Sequence, residues 1–385
     1  MGIQDLLEKT FTMPGSDHSF LFISAPFSGV EVYMRNLREI ISRKKNIDST
    51  WLFVEWQPNE IIANIPPVSL NWTLKGGLVA RSRVLSLERE GKEFDAIFCN
   101  HLIPAAFLGE HRRQTPIVMS VDTTPMLLRK QSPWYFVGSL GGTDFLRGLK
   151  DKFFKSVYAK TYRILAWSRL VRHSLIVHYD IPEDNVSLMP PGVNIQRWSR
   201  SANRSPECTG SNGRPSVLFV GNDFLRKGGD ILLRVARRRE FQDCCFHFVT
   251  NKFVGSIAEN VHVHHDLVAN SDQLLDLYRS ADVFAMPTRA DFSPTNAICE
   301  AMAMQLPVVS TAVGGLDEVV IDGENGFIVP VDDEDALAEK VRVLIASAEL
   351  RARLGCSGRR KVESDFNIDK NAEIVTDYLK QASRR

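Results

Sequence analysis

Long hydrophobic runs are missing from this chain of 385 residues. None approaches the roughly 18 consecutive apolar residues that a membrane-spanning helix needs, so any membrane contact is expected to be peripheral. The opening residues, MGIQDLLEKTFTMPG, lack the basic-then-apolar layout of a secretion signal. Charge of one sign is also in short supply. Lys+Arg number 47 and Asp+Glu 46, leaving a net charge of +1. That balance disfavours nucleic-acid binding driven by bulk charge. The six cysteines (Cys99, Cys208, Cys244, Cys245, Cys299 and Cys356) form no CxxC pair and show no metal-ligand spacing. Most lie in apolar runs, so they are expected to be reduced core residues of a cytoplasmic protein, with no metal site. Both GxxxxGK(S/T) and GxGxxG are absent, which argues against a Walker A loop and against a dinucleotide fingerprint. No short-period repeat is visible.

What the chain does have is alternation. Short apolar runs at 19–25, 50–56, 94–99, 116–121, 163–167 and 186–189 read as strands, with helical patterns between several of them, notably 30–45 and 168–179. Residues 199–215 (SRSANRSPECTGSNGRP) are polar and aperiodic, a linker signature. The alternation then restarts, with strands at 216–220, 245–249, 261–264, 282–286 and 307–310 and helices at 229–239, 272–280, 334–348 and 350–366. Strands alternating with helices predict parallel, doubly wound α/β sheets. The expected organisation is an N-terminal domain over 1–198, a linker over 199–215 and a C-terminal domain over 216–366, facing each other across a cleft. The last amphipathic run, in 367–385, is expected to pack back on the first domain.

Two places carry chemistry. Residues 221–230 (GNDFLRKGGD) follow a strand and open a helix. Arg226 and Lys227 stand at the helix entry, beside two glycines that would let the backbone approach a ligand. Two fixed cations and a helix N-terminus suit a diphosphate, and would stabilise charge developing on a nucleoside diphosphate leaving group. The plainer reading is a surface capping turn. The second place is 286–330, a strand–loop–helix pattern repeated twice, with Glu300 in the first helix. A carboxylate accepts two hydrogen bonds side by side, which suits the vicinal hydroxyls of a ribose. A capping-box role for Glu300 would need Ser or Thr at position 297, and that residue is Ala297. Asp291, Phe292, Ser293, Pro294, Thr295 and Asn296 crowd the loop before this helix, where exposed backbone N–H groups would face a sugar or phosphate.

Three separated motifs, RKGGDILL, the 286–330 segment (PTRAD, EAMA, LPVVSTAVGG, NGFIVP) and MPPGVN at 189–194, occur in the order found in the retaining glycosyltransferases of family 4, which this chain resembles. FSGVE at 27–31, with Gly29, is similar to that family's glycine loop, and the N-terminal half matches more loosely. The resemblance implies a GT-B fold of two Rossmann-like domains and sugar transfer from a UDP- or GDP-type donor held by the C-terminal domain. It also implies a sugar, lipid or small-molecule acceptor held mainly by the N-terminal domain. The diphosphate role carries over to Lys227, with Arg226 beside it, and the ribose role to Glu300. Neither metal nor cofactor is implied, because cations replace the metal, and front-face attack calls for no enzyme nucleophile.

The chain departs from the family pattern at three positions. The family's first acid belongs eight residues before Glu300, where Phe292 stands; Asp291 is one residue earlier. Either the loop carries an extra residue and Asp291 serves, or the acid is lost and the protein binds a nucleotide sugar without transfer. A GT-B sugar-nucleotide epimerase is a further alternative. Asn222 replaces a common Arg, and Asp122 in VDTTP stands where a His often follows the fourth strand, placed either to bond sugar hydroxyls or to cap a turn. His262, His264 and His265 have no acid or Cys at ligand spacing, which argues against a metal. The amphipathic, basic stretch 144–160 reads as a core-facing helix or a contact for an acidic membrane surface.

Overall fold

A computed structural model describes residues 16–25, 28–55, 72–108, 115–131, 133–135, 144–200 and 213–384. Phe27 and residues 201–212 of the linker, Cys208 among them, lie outside the described residues. The chain divides into two compact units. The first comprises Met1–Ser132, Phe136–Met189 and Ile368–Arg385; the second comprises Pro133–Tyr135 and Pro190–Asn367.

Unit 1 is built on six parallel strands, β1 (His18–Ser24), β2 (Ile47–Phe53), β3 (Ala96–Cys99), β4 (Ile117–Val121), β5 (Arg163–Ala166) and β6 (Val186–Leu188), in the order β2-β1-β3-β4-β5-β6. Runs such as AIFC in β3 and IVMSV in β4 are buried throughout, as a sheet covered on both faces requires. Helices α1 (Ser28–Ile41), α2 (Trp72–Arg89), α3 (Leu102–Ala106), α4 (Pro125–Lys130), α5 (Asp144–Ala159) and α6 (Arg169–Tyr179) connect the strands. β2 begins three residues before the predicted run, because it is the edge strand, where Asp48 and Ser49 pair in register while staying partly exposed. α5 turns Phe154, Val157 and Tyr158 inward and leaves Leu149 and Phe153 partly exposed.

Unit 2 repeats the plan with β7 (Ser216–Val220), α7 (Gly229–Ala236), β8 (Cys245–Val249), β9 (Val261–His264), α8 (Asp272–Ser280), β10 (Val283–Met286), α9 (Asn296–Ala303), β11 (Val308–Ser310), β12 (Gly326–Ile328), α10 (Glu334–Ala346) and α11 (Ala348–Asp365). Its order is β12-β11-β10-β7-β8-β9, all parallel. The guanidinium of Arg359 on α11 ties this unit together by donating to the carbonyls of Trp198, Ala303 and Ile195. The last helix, α12 (Ile368–Ser383), leaves α11 and buries Ile368, Ala372, Val375 and Leu379 in the core of unit 1, where Ser187 bonds Tyr378.

Cys99, Cys244 and Cys299 are buried thiols, but Cys356, expected in the core, is exposed on α11. Among the described residues no helix is long and apolar enough to cross a membrane.

Candidate active site

A doubly wound sheet binds ligands where its strand order reverses, because the loops leaving the two adjacent strands diverge there and open a crevice. In unit 2 that point lies between β7 and β10. The loop after β7 carries Arg226 and Lys227, and the loop after β10 carries residues 287–295. Topology alone therefore sets the two sequence motifs side by side.

Their side chains meet on Asp291. Lys227 Nζ donates to Asp291 Oδ2 at 2.7 Å, and Arg226 Nη1 lies 3.4 Å from Asp291 Oδ1. Arg226 is fixed further by Nε to Asp223 Oδ2 at 2.8 Å, and by Nη1 to the Ala290 carbonyl at 2.8 Å and to Tyr135 Oη at 2.9 Å. Lys227, Arg226 and Asp291 are all largely buried, with side-chain exposures of 13%, 13% and 10%. Burial pulls the Lys227 ammonium below its ordinary pKa, while Asp291 pulls it back up. Burial also works against the Arg226 cation, but Asp291, Tyr135 and Asp223 outweigh it and raise its pKa.

The loop that carries Asp291 is stapled from several sides. Arg289 N–H donates to the Arg226 carbonyl at 2.8 Å, Ser310 Oγ to the Met286 carbonyl at 2.9 Å and Thr311 Oγ1 to the Thr288 carbonyl at 2.6 Å. Gly314, at φ +64°, comes so close that a Cβ would stand 2.0 Å from the Asp291 carbonyl oxygen. Gly228, at φ +77°, would put a Cβ 2.1 Å from the Pro287 carbonyl oxygen. The glycines of both motifs thus bring backbone to backbone, and their close approach is to this loop.

Glu300 sits in the second turn of α9, whose N-cap is Thr295. Its carboxylate is 5% exposed and accepts from Tyr278 Oη at 3.1 Å. Burial raises its pKa to about 7, and the Tyr278 hydrogen bond offsets part of that rise.

In unit 1 the order reverses between β1 and β3. Gly29 lies in the first turn after β1, and a Cβ there would meet no atom of another described segment within 4 Å. After β3 come two buried polar residues. Asn100 accepts from Ala25 N–H at 3.0 Å, and His101 caps α3 by accepting the Ile103 N–H on Nδ1. Burial lowers the His101 pKa to about 4, so the imidazole is neutral at pH 7. At the end of β4, Asp122 Oδ1 and Thr123 Oγ1 are shielded from water and have no hydrogen-bond partner among the described residues. Burial raises the Asp122 pKa to about 6, against the backbone N–H groups of Asp122 and Thr123 that its carboxyl accepts.

The family model for glycosyl transferases group 1 matches residues 214–347, and that for glycosyltransferase family 4 matches residues 27–197. An uncharacterized glycosyltransferase of Methanocaldococcus jannaschii is 32% identical over 351 residues, covering 86% of this chain and 88% of that protein. The chain belongs to the family 4 glycosyltransferases. Two further curated relatives are matched over little more than half their own length, 55% and 60%. Among solved structures, sucrose-phosphate synthase from Thermosynechococcus elongatus is similar with a TM-score of 0.73 at 18% identity, covering 94% of this chain and 98% of that one. Anabaena HepE in complex with UDP-glucose gives 0.66 at 14% identity, with coverage of 94% and 100%. These likenesses show the fold: two Rossmann-like units of the GT-B class.

Within unit 2 the predicted residues fall into two groups. Arg226, Lys227, Asp291 and Phe292 form one cluster, while Glu300 bonds Tyr278 and none of them. Phe292 is 5% exposed, its ring packed 4.6 Å from that of Tyr135, and Pro294 is buried too. Ser293 and Asn296 remain partly exposed, and the Thr295 hydroxyl accepts from Ile298 N–H as the helix cap. The diphosphate reading included the N-terminus of α7, where the N–H groups of Gly228, Gly229 and Ile231 bond the carbonyls of Leu225, Phe224 and Gly228.

The glycine pair at 314–315 is a left-handed kink inside a 3₁₀ run. Sequence reasoning missed Tyr135, Tyr278, Asn100 and His101. The last two carried a usable signal, a polar pair directly after a buried strand. His247 Nδ1 lies 3.0 Å from His264 Nε2, yet among the described residues no three His, Cys, Asp or Glu side chains are grouped to hold a metal ion.

Proposed function

We propose that the chain is a retaining glycosyltransferase that takes its sugar from a UDP- or GDP-type donor bound by unit 2 and delivers it to an acceptor hydroxyl bound by unit 1. The observation that carries this reading is the pair Arg226 and Lys227 beside Asp291 at the strand-order reversal of unit 2. Lys227 Nζ and Arg226 Nη2 keep N–H donors that no described residue uses, and these suit phosphate oxygens. As the bond from the anomeric carbon to the donor phosphate oxygen breaks, negative charge grows on that oxygen, and the two cations stabilise it without a metal. The leaving phosphate oxygen takes the proton of the acceptor hydroxyl, which attacks from the same face, so configuration is kept.

Asp291 fits the role of the family's first acid better than an acid lost at Phe292. Its carboxylate lies on the cation pair, while Phe292 packs into the protein. In this reading it receives hydroxyls of the donor sugar when phosphate takes over Lys227. That favours a working enzyme over a nucleotide-sugar binder. The test is a panel of nucleotide sugars assayed for slow donor hydrolysis. UDP or GDP release that persists with EDTA and is lost in Lys227→Ala and Glu300→Ala is the expected result. Tight binding without release under every acceptor would turn the reading to a binder, and release that survives both substitutions would refute the site.

Asp122 and Thr123 supply the acceptor side of this proposal, since their unpartnered buried oxygens suit sugar hydroxyls. Asp122→Asn is expected to lower kcat/KM for the acceptor by about 10-fold or more, the worth of one hydrogen bond to a charged group. Donor hydrolysis in water should hardly change. Equal losses in both reactions would show that Asp122 serves the donor or the fold instead.

A further inference from the structure

The structure assigns Tyr135 the role of positioning the Arg226 guanidinium in the donor site, an inference that rests on Arg226 and Lys227 being the diphosphate ligands. Tyr135 comes from the first half of the sequence, but Pro133–Tyr135 belong to unit 2. Its hydroxyl accepts Arg226 Nη1 at 2.9 Å, and its ring lies 4.7 Å from the guanidinium carbon. Tyr135 thus acts on both the plane and the rotation of a cation that Asp223 and the Ala290 carbonyl hold only by its edge.

Tyr135 is itself held on two sides. Its hydroxyl lies 3.4 Å from the Ala290 carbonyl, to which it donates, and its ring packs 4.6 Å from Phe292. Next to it, the Trp134 ring lies 5.2 Å from the Arg289 guanidinium. Arg289 is in turn bound to Asp230 and Asp332, at 2.6 Å each. The short segment is therefore pinned through two guanidinium–aromatic contacts. This also gives Phe292 a purpose where the family carries an acid: it backs the ring that orients the arginine.

The consequence for binding follows from competition for Arg226. Asp223 takes Nε, while Tyr135 and the Ala290 carbonyl take Nη1 at 2.9 and 2.8 Å, leaving Asp291 at a longer 3.4 Å. Nη2 makes no hydrogen bond among the described residues. With Tyr135 removed, Nη1 can close on Asp291 and the guanidinium can rotate Nη2 away from the phosphate. Tyr135 keeps the arginine available to a ligand.

The test is a double-mutant cycle read by calorimetric titration with UDP and with GDP on the full chain. Tyr135→Ala is expected to weaken the nucleotide that the wild type binds by about 10-fold. Tyr135→Phe, which keeps the ring, should lose only part of that. Tyr135→Ala added to Arg226→Ala should bring no further loss, because the tyrosine acts through the arginine. Additive losses would overturn the positioning role, as would a Tyr135→Phe variant that binds like Tyr135→Ala only through a lowered Tm. If Arg226→Ala itself binds both nucleotides as the wild type does, the donor-site reading fails first, and that result is distinct from a failure confined to Tyr135.

Discussion

Lys227→Met is expected to lower donor-dependent nucleotide release by about 10²–10³-fold, the range for deleting one group aimed at charge that develops in a transition state. Among the described residues the ammonium bonds only Asp291, so it has donors left for a phosphate oxygen. Stability falls with it, because the substitution takes from a nearly buried carboxylate its nearest cation, with Arg226 at 3.4 Å and the Thr288 hydroxyl among the partners that remain. Breaking a buried pair from one side costs up to about 3–5 kcal/mol. The two losses separate in the double variant Lys227→Met with Asp291→Asn, which removes the buried negative charge and should regain Tm without regaining turnover. Lys227→Arg should recover part of the activity, since it restores the charge in a different shape. Nucleotide release measured below each variant's Tm decides the matter. Wild-type turnover in folded Lys227→Met would remove Lys227 from the chemistry.

The parts of this protein that could be read from its sequence are those fixed by local pattern. Almost wholly apolar runs such as SVLFV and VFAM stand in both faces of covered sheets, so β7 and β10 match their predicted ranges within a residue. Helix α8 matches from Asp272 to Ser280, because Ser271 caps it visibly and its apolar spacing is regular. The cation pair and Glu300 were legible through their motifs. Their surroundings were not. Tyr278 is 22 positions before Glu300 and Tyr135 is 91 before Arg226, and nothing local marks a tyrosine as the partner of a distant charge. Motif glycines misled for a related reason. Gly228 and Gly229 read as ligand-approach residues, whereas a Cβ on the first would meet the Pro287 carbonyl oxygen and on the second the Phe224 ring. A glycine pattern records close approach without naming what approaches.

Nucleotide binding is expected to release most of a proton near pH 6 and almost none above pH 8, with Glu300 as its source. In the folded protein its burial raises the pKa to about 7, against an ordinary 4.5, so the side chain is mostly protonated at pH 6. A ribose that offers two hydroxyls stabilises the ionised form and pulls the pKa down on binding. Titrations in buffers of different ionisation enthalpy measure that proton directly, and affinity should rise with pH through about 7. The same group sets a stability trend of fixed sign. Between pH 4.5 and about 7 the folded state holds a proton that the unfolded chain has released, so stability is lost as pH rises through that window. Glu300→Gln keeps an acceptor for Tyr278 and never has to bury a charge. Its Tm should therefore exceed that of the wild type at pH 8, with the advantage vanishing toward pH 4.5, while its nucleotide affinity falls. A variant that gains stability as it loses function marks a carboxylate held in an unfavourable place for the sake of its ligand. If Glu300→Gln binds nucleotide like the wild type and no proton is released at pH 6, Glu300 is a partner of Tyr278 alone, and the ribose must be held elsewhere on the edge between β7 and β10.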